Sequence, residues 1–246
     1  MKKDLKRQIK QDELVSGFEH AMAWLGAHRA EARLTALVVA VLVAAGVAVT
    51  YYQASQQRAA DAAFGEALTL YKGQVEGDQP PGAEKPAGPV FPTVRDKYTK
   101  AAAAFDGIER RFSSLKIAPR ARYYGALCRI EIGEEAAARK VLEELAAIKD
   151  PGQIEGSLAR LALANLLRKT GDLEKALEAY RTMADEPGLS IPRDHVLMTL
   201  GGALEEARRL PEARGAYRRL RDEFPASPYA SEAERRAEYL SGESQG

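Results

Sequence analysis

From Leu34 to Tyr52 the chain reads LTALVVAVLVAAGVAVTYY, nineteen positions without a charged, amide or proline side chain. That pattern predicts a helix that is apolar on every side. At 1.5 Å per residue, about twenty residues cover the roughly 30 Å hydrocarbon core of a bilayer, and a helix satisfies its own backbone there. The nine large aliphatic residues each favour insertion by roughly 0.3 to 0.6 kcal/mol, a few kcal/mol in all. The alternatives are a buried core helix and a cleaved signal peptide. A core helix carries a polar stripe every third or fourth residue, which this run lacks, and a signal peptide opens with a short basic segment, whereas 33 residues precede the run. Tyr51 and Tyr52 suit a membrane interface. Arg29 and Arg33 lie just before the run and Arg58 alone just after it. The positive-inside bias therefore favours a cytoplasmic N-terminus, with everything after Tyr52 on the far side.

Residues 1–33 open with the charged run MKKDLKRQIKQDE and then place Leu14, Phe18, Ala21, Met22 and Leu25 at helical spacing, near Trp24. This cytoplasmic segment either lies along the membrane surface or is a lead-in whose charges only fix topology. Beyond the span, residues 53–76 read as a helical extension, with Ala60, Phe64, Ala67, Leu68 and Tyr71 along one face. Residues 77–93 hold five prolines and three glycines in the sixteen positions from Gly77 to Pro92, and are expected to form a loop.

From residue 94 to 240 one pattern recurs, an alanine followed by bulky apolar residues four and seven positions later. The four instances are Ala101, Phe105, Ile108; Ala138, Leu142, Leu145; Ala176, Tyr180, Met183; and Ala213, Tyr217, Leu220. The alanines are 37, 38 and 37 residues apart. Each of the last three is preceded by another helical stretch, with Gly133 and Gly171 between the first two pairs and Pro151, Pro187 and Pro225 near the ends of the second helices. An even period of this length marks stacked helix hairpins. Ser227 and Pro228 are expected to start a terminal helix that covers the last hairpin, and residues 241–246 to form a polar tail.

These pairs resemble tetratricopeptide repeats. Leu163, Ala164, Leu167, Gly171, Ala176 and Tyr180 occupy the signature positions of one unit, and Leu200, Gly201, Leu204, Ala213, Tyr217 and Pro225 those of the next. The first unit departs from the pattern, because its turn at Gly133 falls one residue short for both helices to align. An altered register of its first helix is therefore expected. The Ala101 segment resembles the second helix of a further unit, whose first helix is the extension of the span. The resemblance implies an all-α solenoid of about three to four hairpins behind a single N-terminal transmembrane helix. It also implies a concave, partner-binding groove lined by Arg122 and Arg129, then Leu158, Leu161, Asn165, Arg168 and Lys169, then His195, Met198, Glu205 and Glu206. Its middle would be basic and its last repeat acidic. Taken whole, the layout is similar to the YfgM-type ancillary subunit of the SecYEG translocon. That similarity implies an inner-membrane protein whose periplasmic domain helps newly translocated proteins pass from the Sec translocon to chaperones. The alternative is a scaffold or adaptor that assembles envelope or division complexes, and a third reading reverses the topology.

Charge narrows the partners. Residues 1–33 hold seven basic and five acidic groups, and the remainder 29 and 30. A globally basic surface for nucleic acid is not expected, and proteins or extended polypeptides are the expected partners. No GxGxxG, Walker, HExxH, GxSxG or CxxC pattern occurs. No catalytic, cofactor or metal site is expected, and the chain reads as a non-enzyme. Cys128 is the sole cysteine, and a lone cysteine in a helix reads as a small buried apolar group. His20, His28 and His195 fall on both sides of the proposed membrane and cannot form one site.

Overall fold

The computed structural model describes residues 29–77, 88–148 and 153–242. Most of the expected amphipathic segment, His20, His28, the centre of the proline-rich loop, Pro151 and the last four residues lie outside these. The chain divides into two compact units, residues 1–58 and 59–246. In the first, helix α1 (Arg29–Tyr71) covers the whole apolar run. The nine large aliphatic side chains there are each 50% to 66% exposed, so no surface among the described residues covers them. One N-terminal helix is thus long and apolar enough to cross a membrane.

The second unit is an all-α solenoid. The last turns of α1 face α2 (Val94–Arg111), and three hairpins follow. These are α3 (Ile117–Glu131) with α4 (Glu135–Ala146), α5 (Ile154–Lys169) with α6 (Leu173–Asp185), and α7 (Arg193–Glu206) with α8 (Leu210–Glu223). The terminal α9 (Ala230–Gly242) packs on α8, and α3 also packs on α5. All twelve residues of the recurring alanine pattern are buried. Alanine at each crossing leaves no side chain to hold the helices apart, and the larger residues one and two turns on fill the gap between hairpins. Ahead of these hairpins Ala60, Phe64 and Ala67 of α1 share a core with Ala101, Phe105 and Ile108 of α2, and the Phe64 and Phe105 rings lie 5.6 Å apart.

The residue pattern predicts helix through residue 76 and a loop from 77 to 93. Instead α1 stops at Tyr71, and Gln74–Val75 (β1) pairs in parallel with Val90–Phe91 (β2). The cause is a close approach at Gly73, where a Cβ would sit 2.5 Å from the Phe91 ring and 2.8 Å from the Pro89 carbonyl. The Gln74 N–H then donates to Pro89 O at 3.0 Å and the Glu76 N–H to Phe91 O at 2.9 Å, closing the base of the loop. Thr93 starts α2, its hydroxyl accepting from the Asp96 N–H at 3.0 Å. The terminal helix also differs from expectation. It begins at Ala230, because Ser227 donates its hydroxyl to Asp194 Oδ2 at 2.6 Å and accepts from the Tyr229 N–H at 3.1 Å, tying this turn to α7.

The three hairpin turns share one geometry. Gly133, Gly171 and Arg208 each take a left-handed conformation, with φ of 83°, 90° and 58°. The next residue in each case donates to a carbonyl five positions back, Glu134 to Arg129 O, Asp172 to Leu167 O and Arg209 to Leu204 O, all at 2.8 or 2.9 Å. This is the closing bond of a Schellman motif, which favours glycine. Arg208 occupies it with a Cβ, at a cost of about 1 kcal/mol. The Arg208→Gly variant is expected to raise the midpoint of thermal unfolding by about 2 to 4 °C, measured by circular dichroism in detergent. An unchanged or lower midpoint would show that the turn is not strained.

Candidate functional site

The shared turn geometry fixes the register of every first helix. With Gly133 equivalent to Gly171, Ala126 is equivalent to Ala164, and Ala126 does share a buried cluster with Ala138, Leu142 and Leu145. The expected register defect in the first hairpin is therefore absent. Moving back 38 residues from Leu158, Leu161, Asn165, Arg168 and Lys169 lands on Arg120, Tyr123, Leu127, Ile130 and Glu131. Four of these five line a cleft of about 230 Å³ between α3 and α5, namely Tyr123, Leu127, Ile130 and Glu131. Its other wall is Leu161, Ala162, Asn165, Leu166 and Lys169.

Arg122 and Arg129, expected in the groove, point elsewhere. Arg129 pairs with Asp106 of α2 at 2.6 Å, while Arg122 reaches Glu109 of α2 at 3.1 Å and also pairs with Glu144 of α4. The cleft residues are their neighbours Tyr123 and Ile130. One residue turns a helix by about 100°, enough to exchange one face for another. The missed signal was the 38-residue spacing itself, which already relates Ala138 to Ala176.

The remaining expected groove residues fall on first helices as follows. Leu161 is buried with its side chain at the cleft floor, and Leu158 packs partly buried on the same core. Asn165 is exposed at the cleft, and its Oδ1 accepts from the Tyr180 hydroxyl at 2.6 Å. Lys169 lies 3.5 Å from Glu135 and from the Ile130 carbonyl. His195 is exposed with its ring 5.7 Å from that of Tyr229, and Met198 packs partly buried on the core. The expected separation of a basic middle from an acidic end does not survive folding. Arg168 sits 3.5 Å from Glu206, and Glu205 accepts from the Tyr217 hydroxyl at 2.5 Å and pairs with Arg236 at 3.2 Å. Opposite charges on successive hairpins meet, and the cleft itself is lined by apolar residues, Asn165 and one charge of each sign, Glu131 and Lys169.

Two buried tyrosines show how one alanine-to-glycine difference changes the site. Tyr180 is fully buried opposite Ala164 and reaches Asn165. Tyr217 lies directly over Gly201, where a Cβ would overlap its ring with Cζ at 2.6 Å, and reaches Glu205 one turn further on. Burial pushes the Tyr180 phenol up to about 12 and raises that of Tyr217 as well, so both stay protonated donors. Cys128 is fully buried among apolar residues of α1, α2 and α3, and burial pushes its thiol up to about 12. A thiol so held is not a nucleophile near neutrality.

The family model described as a tetratricopeptide repeat-like domain matches residues 28–227. No curated protein matches the chain.

Proposed function

Because the chain belongs to the tetratricopeptide repeat-like domain family, a protein-interaction module, we propose that it is a membrane-anchored adaptor that binds extended polypeptides in the cleft between α3 and α5. The observation that carries the reading is the chemistry of that cleft. A shallow apolar floor rimmed by one amide and by the opposite charges of Glu131 and Lys169 suits an apolar side chain and a backbone carbonyl, and carries no net charge to select a charged surface. Leu161, Asn165 and Lys169 contribute from α5 and Tyr123, Leu127 and Ile130 from α3, with His195 and Met198 extending the surface along α7.

The span adds the location. In this reading α1 anchors the chain in the bacterial inner membrane by residues 34–52, with the N-terminus cytoplasmic and the solenoid periplasmic, as the excess of Arg29 and Arg33 over Arg58 favours. The role that follows is to receive newly translocated proteins near the Sec translocon and pass them to chaperones. A tethered site meets emerging chains at high effective concentration, so a weak, sequence-tolerant cleft suffices.

Photoreactive side chains at Tyr123 and Leu161 of the full-length chain test this in cells. They are expected to capture many secreted polypeptides and the translocon, and the secreted clients should vanish within minutes of stopping translation. Persistent capture of one folded partner would support the scaffold reading instead. Protease accessibility of the solenoid from the cytoplasmic side would reverse the topology.

A further inference from the structure

We infer that the Tyr180 hydroxyl is a positioning group for the cleft. By donating to Asn165 Oδ1 at 2.6 Å it orients the carboxamide so that the Nδ2 protons are presented to the backbone carbonyl of a bound extended chain. The inference rests on the polypeptide-binding reading above and names the group that makes its amide contact directional.

An exposed asparagine normally rotates between presenting its oxygen and presenting its nitrogen, and ordering it on binding has an entropic cost. Here the oxygen is already engaged by a side chain that cannot move. The Tyr180 ring is fully buried in the core shared by Leu161, Ala164, Ala176 and Leu177. Its phenol stays protonated near neutrality and so remains a donor. What Asn165 has left to offer the cleft is a pair of N–H donors, complementary to the partial negative charge of a carbonyl. The arrangement is confined to this hairpin. The equivalent residues in the first are Leu127 and Leu142, and in the third Gly202 and Tyr217, whose hydroxyl goes to Glu205. The pair thus stands beside the apolar walls Tyr123, Leu127, Ile130, Leu161 and Leu166, with Glu131 and Lys169 also lining the cleft. The occupant that fits is an extended segment with one bulky apolar side chain in the cleft and its carbonyl on Asn165.

The test uses the full-length protein in detergent and reduced, carbamidomethylated lactalbumin as a permanently unfolded probe, with binding followed by fluorescence anisotropy. Tyr180→Phe removes only the hydroxyl, so the thermal midpoint should move by a few degrees at most, while affinity falls about three- to tenfold. In an Asn165→Ala background the same change should cost nothing further. The side-chain amide resonances of Asn165 should also shift in Tyr180→Phe, as the hydrogen bond to its oxygen is lost. An equal loss in both backgrounds, or no loss in either, overturns the inference while leaving polypeptide binding intact. Failure of the unaltered protein to bind the probe, or binding indifferent to Leu161→Asp, overturns the polypeptide-binding reading and this inference with it.

Discussion

Replacing Leu42 and Ala45 by lysine is expected to release the full-length chain from the membrane fraction. Both positions lie near the middle of an apolar run whose total preference for the bilayer is on the order of 4 kcal/mol. Each lysine at the centre of a span opposes insertion by roughly 2.5 to 3.5 kcal/mol, so the pair outweighs the whole favourable sum. The helix itself should persist, since lysine is a good helix former and this stretch is exposed among the described residues. The measurement is the share of protein that sediments with membranes after alkaline carbonate washing. The unaltered chain should stay with the pellet and the double variant should move to the supernatant. An unaltered chain that remains in solution without detergent would end the membrane reading, and the tethering argument with it.

Gly201→Ala should strongly destabilise the third hairpin of the solenoid. The added carbon would overlap the Tyr217 ring, and Tyr217, 1% exposed, has no free space to enter. Hairpin two shows how a tyrosine is accommodated opposite alanine, since Tyr180 faces Ala164 and bonds Asn165. Tyr217 could copy that placement only by leaving Glu205, and Gly202 offers no side-chain acceptor in Asn165's place. The buried hydroxyl would lose its partner in addition to the strain of repacking. Together these cost about 2 to 4 kcal/mol, a fall of roughly 5 to 15 °C in the thermal midpoint of a domain this size. The Tyr217→Leu variant should absorb much of the effect, because Ala126 and Leu142 already form that combination in hairpin one. In a double-mutant cycle the pair should therefore cost less than the sum of the single changes. Additive costs would mean that the glycine is not there for the ring.

The stack was legible because its signal is local and repeated. An alanine with apolar residues four and seven positions on specifies a helix face, and its return every 37 or 38 residues specifies a hairpin copied along the chain. The same 38-residue period marks Tyr123 and Ile130 as the cleft residues of α3, whereas the apparent shortfall at Gly133 points to their neighbours Arg122 and Arg129. The two-residue sheet was not legible, because Gln74–Val75 and Val90–Phe91 are too short for any alternation to register, and what joins them is the contact of Phe91 with Gly73.

The residue pattern by itself determined the apolar helix and the succession of paired helices, since both follow from spacing within a few turns of chain. Only the tertiary structure decided that Arg168 meets Glu206, that Glu205 is shared by Tyr217 and Arg236, and that Tyr180 holds Asn165. These contacts depend on which faces of separate helices are brought together and at what height. Local periodicity carries no record of that, because each helix forms the same way whichever neighbour it meets.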